Sequence, residues 1–208
     1  MGKVSAKSSK VAQKSDGNKN HYCGPGVTPG GLAQSVIVIN GRGGVGKHTL
    51  IEFVAERYSV RNVSSITPIK EIATSVGWDG GKCERGRQLL ADLKEAFVRY
   101  NDLPQKYVLG EYKKFKAVEQ DVMFIHIREA AEIMKFRKAV PACRTILVTR
   151  DNGINGNADT SEQTMFDFDY DYIFDNSRPL EIAGPAFVKL IERIKKSRGT
   201  LPLLEVRQ

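Results

Sequence analysis

The sequence predicts an α/β fold in which a five-stranded parallel sheet carries helices on both faces, a three-layer sandwich. Three observations point there. Short β-branched runs alternate with stretches of helical spacing, and such alternation requires crossover connections over a sheet buried on both faces. A glycine-rich turn joins the first run to the first helical stretch. The longest apolar runs, "SVIVI" and "VMFIHI", have the length of strands and fall well short of the ~18 residues of a membrane-spanning helix.

Val36 to Asn40 is a β-branched run bounded by glycines, as expected of a buried parallel strand. Leu50, Phe53, Val54 and Arg57 follow at helical spacing. "SVRNVSSI" reads as the second strand, and Pro68 opens a helix over "IKEIATSVGW". "GWDGGKCERG" is a turn-rich break. From Arg87 to Tyr100, the residues Leu89, Leu90, Leu93, Phe97 and Tyr100 form an apolar stripe at helical spacing, and a further helix is expected from Pro104 to Val118. "DVMFIHI" is the third strand, "EAAEIMKFRKAV" the helix after it and "RTILVT" the fourth strand. "RDNGINGNADTSEQTMFDFD" is a polar, glycine-containing loop of a length that is usually functional. "YDYIFDN" is the fifth strand and "LEIAGPAFVKLIERIKK" the last helix.

The 208 residues suit one sizeable α/β domain, expected over residues 35–208, behind a disordered basic tail over 1–34. The net charge of +8 (32 basic against 24 acidic residues) favours polyanionic ligands, nucleotides or nucleic acid. Residues 1–35 hold Lys3, Lys7, Lys10, Lys14 and Lys19 against Asp16, so half of that excess lies in a stretch rich in Ser, Gly, Asn and Pro. Such a segment reads as solvating rather than as a specific binding element. Cys23, Cys83 and Cys143 lie far apart without CxxC spacing, which argues against a disulfide framework or a zinc site. With no secretory, mitochondrial or myristoylation pattern at the start, the expected compartment is the cytoplasm, with no membrane partner. Asp167, Asp169, Asp171 and Asp175 alternate with Phe and Tyr and read as the polar face of a strand, since calcium-loop spacing is missing.

The chemistry is concentrated in "VIVINGRGGVGKHTLIEF". Gly41 and Gly46 stand five apart with Lys47 directly after, between a predicted strand and a predicted helix. Glycines let backbone N–H groups turn inward around phosphate oxygens, the helix N-terminus adds partial positive charge, and the lysine reaches the β and γ phosphates. Gly41, Arg42, Gly43, Gly44, Val45, Gly46, Lys47, His48 and Thr49 are therefore the expected nucleotide cradle, and the fold class sharpens to a P-loop NTPase-type sandwich. The usual ending of this motif is GK[ST], whose hydroxyl binds magnesium. Here it is GKHT, with the hydroxyl one place later at Thr49, as in nucleoside monophosphate kinases such as adenylate kinase. His48 thus marks a subtype of site, with a bland role of its own beside the phosphates or in solvent.

Three further segments, in order, resemble the deoxynucleoside monophosphate kinase family of P-loop kinases, which includes bacteriophage-type enzymes. "SSITPIKEIA" is similar to that family's strand, D-P-L-K-E and helix. "FIHIREAAEIMKFRK" is similar to its D-V-R strand end followed by N-E-A-E, and "YDYIFDNSRPLEIAGPAFVKLI" to its last strand, Asn turn and closing helix. The resemblance runs from about Val36 to Ile194. It implies an ATP-dependent kinase using Mg2+, with a nucleoside monophosphate as acceptor. Phosphoryl transfer is mostly positioning and charge neutralisation, so arginines should clamp both nucleotides. The resemblance puts Lys47, Arg128 and Arg150 in the catalytic set, Arg85, Arg87 and Arg128 on the acceptor, and Thr49 on the metal. Two of the family's aspartates are replaced, by Thr67 and by His126. At the second, an acid would orient magnesium-bound water, so the metal must rely on Thr49, Glu129, Asp151 or phosphate oxygens. Two other functions remain open on the sequence: a nucleotide-binding protein with little or no turnover, and a kinase of nucleic-acid ends aided by the basic tail.

Overall fold

The structure, a computed structural model, describes residues 21–22, 34–81, 83–151, 165–166 and 168–197. In chain order its elements are β1 (His21–Tyr22), β2 (Ser35–Asn40), α1 (Lys47–Ala55), β3 (Val60–Ser64), α2 (Thr67–Ser75), α3 (Glu84–Asn101), α4 (Leu103–Lys116), β4 (Val122–His126), α5 (Ala130–Ala139), β5 (Arg144–Thr149), β6 (Tyr172–Asp175) and α6 (Leu180–Lys196). The sheet order is β1-β3-β4-β2-β5-β6. From β3 to β6 every pairing is parallel. β2 lies in the middle, where connections depart in both directions, and in open α/β sheets ligand crevices form beyond the carboxyl ends of strands at such a point.

Alternation along the strands divides the core in two. Ile37 and Ile39 of β2, Phe124 of β4 and Val148 of β5 face α1 and α6, where Leu50, Ile51, Val54, Phe187 and Ile191 cover them. Val36, Val38, Met123 and Ile125 face the other way, onto Val108 and Phe115 of α4 and Ile133 and Phe136 of α5. Each such fully buried side chain contributes roughly 1.5–3 kcal/mol. These are the predicted three layers. α6 closes on α1 at Gly184: a Cβ there would stand 2.6 Å from the Phe53 ring. No helix among the described residues is long and apolar enough to cross a membrane.

Three expectations are corrected. His21 and Tyr22, assigned to the disordered tail, pair antiparallel with Arg61 and Val60 and make the sheet six-stranded. Without them β3 would be an edge strand with a row of unpaired backbone groups, which an extended segment readily joins. The rest of that tail lies outside the described residues. Second, the stripe on α3 is incompletely covered: Leu89, Leu90, Leu93 and Phe97 are half-buried and Tyr100 is 82% exposed. α3 packs on α2 and α4 rather than on the sheet. Third, Asp171 is not part of a solvated face. Its carboxylate accepts from the backbone N–H and the hydroxyl of Thr145 and pairs with Arg137 at 2.8 Å, pinning the start of β6 to β5.

Candidate functional site

The phosphate loop runs from the end of β2 into α1, and its shape is set by close approach. Gly41 has φ 142°, and a Cβ on it would lie 2.4 Å from the Val148 carbonyl oxygen of β5. Gly46, at φ 87°, has the Asn176 side-chain amide 2.5 Å from where a Cβ would sit. Neither position admits a side chain. Over Gly43 and Gly44, by contrast, a Cβ would meet nothing within 4 Å, so the outer side of the loop is open. Gly46 caps α1 with no side-chain hydrogen bond, and the first turn holds no acid. Lys47 donates to the carbonyl oxygens of Gly41 and Arg42, the latter at 2.8 Å, which folds its ammonium back across the loop. Glycines at positive φ, an uncapped helix N-terminus and a lysine over the turn together suit a phosphate chain.

Two asparagines brace this loop, and a third holds the histidine at the end of β4. Buried Asn40, the last residue of β2, accepts from the Gly41 N–H and donates to the Arg128 carbonyl and the Tyr170 hydroxyl, each at 2.8 Å. Buried Asn176, just past β6, donates to the Val45 carbonyl at 2.8 Å. Asn62 of β3 holds His126. Of these, the sequence reading reached only Asn176, as the Asn turn of the resemblance, without its contact.

His126 ends β4 on the side that continues Val122, the side α1 covers, and its Nε2 lies 2.8 Å from Asn62 Oδ1. The amide oxygen only accepts, so Nε2 carries the proton. Burial, then the nearby Lys47 ammonium and His48, push the ring's pKa down from 6.5 to about 4, so it is neutral at physiological pH. At the other position where the resemblance calls for an aspartate, Thr67 is half-buried at the start of α2. His48 is exposed and lies 3.4 Å from Glu52 one turn on.

The sheet gathers Lys47, Arg128 and Arg150 at one edge, beyond the carboxyl ends of β2, β4 and β5; both arginines are exposed. Arg85 and Arg87 are exposed in the first turn of α3, off the sheet. Most of the loop after Arg150 lies outside the described residues; of its far end, Met165 is buried, and the Phe166 ring carries the Arg42 guanidinium 5.5 Å from its centroid. For magnesium the described residues offer little. Thr49 is half-buried in the first turn of α1, and among the described residues no group of three or more His, Cys, Asp and Glu could hold a metal. Glu129, one of the alternatives, is engaged by the Lys94 ammonium instead. The residues thus fit a nucleotide's phosphates, and fit a metal only as a companion of those phosphates.

No family model and no curated protein matches the chain. Among solved structures it is similar to a gluconokinase from Sinorhizobium meliloti 1021, at 14% identity and TM-score 0.41, over 79% of this chain and 94% of that one. A sugar kinase from Janibacter sp. HTCC2649 stands at 14% identity and TM-score 0.43, over 77% and 95%. A shikimate kinase from Bacteroides thetaiotaomicron stands at 14% and 0.39, over 78% and 98%. Likeness at this level says nothing about which reaction this chain performs.

Proposed function

We propose that the chain is an ATP-dependent kinase that transfers the γ-phosphoryl group to a nucleoside monophosphate, deoxynucleotides included. The observation that carries this reading is the braced phosphate loop, with Lys47 across it, on the same sheet edge as Arg128 and Arg150. Loop amides and Lys47 would bind the ATP phosphates, and Arg150 would neutralise charge that develops during transfer. Arg128, with Arg85 and Arg87, would hold the acceptor phosphate, because a planar guanidinium matches phosphate oxygens in pairs. Magnesium would enter with ATP and take Thr49 as its protein ligand, supplying charge neutralisation between the phosphates. A phosphate acceptor is already anionic and needs no base to deprotonate it.

The test is ADP release with ATP and Mg2+ against a panel of ribo- and deoxynucleoside monophosphates, with Lys47→Ala as control. Turnover with at least one acceptor is expected, lost in a Lys47→Ala protein of unchanged melting temperature. His126, standing where the resemblance calls for an acid, favours a second reading, a nucleotide-binding protein with little turnover. ATP binding without ADP release across the panel would establish that reading instead. Transfer to oligonucleotide ends that falls steeply with salt would mark the nucleic-acid kinase.

A further inference from the structure

Helix α3 packs on the body of the protein through apolar side chains that are only half-buried, its one fully buried residue being Gly86. Lys94, in its middle, departs from its largely exposed polar surface. Its side chain is 15% exposed, and its ammonium bridges Glu129 and Glu132 at the start of α5, the latter at 3.0 Å. Glu129 directly follows Arg128, whose carbonyl is bound by Asn40 at the entry to the phosphate loop. One ammonium therefore ties the middle of α3 to the turn beside that loop. The carboxylates depend on it in return. Glu132 is 14% exposed, and its buried Oε2 has no hydrogen-bond partner among the described residues. Burial and the adjacent Glu129 hold its pKa up at about 7. Removing the ammonium would leave the two crowded carboxyl groups with no cation between them, favouring a proton on Glu132 and undoing the link to α3.

Arg87 and Arg85 lie seven and nine residues before Lys94 on the same helix, roughly 10 and 14 Å along its axis at ~1.5 Å per residue. A tilt of α3 about its middle would move them by ångströms and leave the phosphate loop in place. We propose that Lys94, held between Glu129 and Glu132, is a positioning residue: it latches α3 to the turn after β4 and so sets Arg85 and Arg87 relative to the phosphate loop. The effect on the acceptor rests on the kinase reading above; the latch itself does not.

The two are tested separately on the full chain. Hydrogen exchange without nucleotide is followed in peptides of α3 and of β2–α1 for wild type, Lys94→Met and Lys94→Arg. Lys94→Met is expected to speed exchange in α3 by about tenfold or more, a loss of at least ~1.4 kcal/mol of local protection, with β2–α1 unchanged and Lys94→Arg largely protected. Unchanged α3, or equal acceleration everywhere, overturns the latch. If Lys94→Met fails to fold, Glu132→Gln weakens the same bridge from α5 and is judged by the same comparison. With ATP and an equimolar mixture of the four deoxynucleoside monophosphates, Lys94→Met should raise the acceptor KM about tenfold, since small misplacements of binding groups are costly. The KM for ATP and kcat should stay within about twofold, and Lys94→Arg should restore the acceptor KM. Equal losses on both substrates overturn the positioning role. A wild-type protein inactive on every monophosphate would sink the kinase reading, while the exchange data would still decide the latch.

Discussion

Acidification offers a direct reading of the site, because His126 resists protonation in the folded protein. Its ring donates to Asn62 and is largely withdrawn from solvent near the Lys47 ammonium, which brings its pKa down from 6.5 to about 4. The unfolded chain has no such environment. The resulting stabilisation is complete above pH 6.5 and is lost as pH falls toward 4. A difference of about two and a half pH units corresponds to roughly 3 kcal/mol at ~1.4 kcal/mol per unit. Three histidines occur in the chain, so ring resonances can be assigned by single substitutions of His21, His48 and His126. In an NMR titration one ring should stay neutral to about pH 4, and His126→Gln should remove that resonance. Glutamine keeps an amide N–H for Asn62 but cannot titrate. Denaturant unfolding from pH 7 to pH 4 should therefore cost wild type about 3 kcal/mol more than His126→Gln, with the carboxylates cancelling in the difference. Three histidines all titrating near 6.5, or two proteins losing stability in parallel, would refute the neutral His126.

Asn176→Ala should free the Val45 carbonyl inside the loop, costing about 1–3 kcal/mol of stability and weakening ADP binding measured by calorimetry. An unchanged affinity would show that the loop keeps its shape without the brace. Gly184→Ala drives a methyl into the Phe53 ring and should cost about 1–3 kcal/mol in thermal unfolding, with Phe53→Leu in the same protein restoring part of it. Removing residues 1–20 should leave the melting temperature unchanged. Removing 1–33 also deletes β1 and should lower it by a few degrees, at roughly 2–4 °C per kcal/mol of lost edge pairing. Identical melting curves for the two truncations would mean that β1 adds nothing.

Much of the fold was legible because its signals are local. β-branched runs at Val36–Asn40 and Arg144–Thr149, helical spacing around Leu50 and a proline at the start of α2 each depend on a few neighbouring residues, and the elements form where those signals lie. The phosphate loop is local too. Its glycines are needed at fixed offsets, so spacing alone located it. α3 misled for the same reason: a helix's apolar stripe reports that something covers it, not how completely, and here α2 and α4 cover it in part.

What the loop and its surroundings do chemically was decided by residues far apart in the chain. Asn176 reaches a carbonyl 131 residues away, His126 is bonded to a residue 64 away, and Lys94 to one 35 away. Those meetings follow from the strand order, which places the ends of β3, β4, β2, β5 and β6 along one edge. Local propensity contains no information about that order. The type of fold and the position of the phosphate loop are thus properties of the sequence by itself. The neutral state of His126, the brace on Val45 and the tie between α3 and α5 exist only once packing has removed water and brought distant polar groups within hydrogen-bond reach.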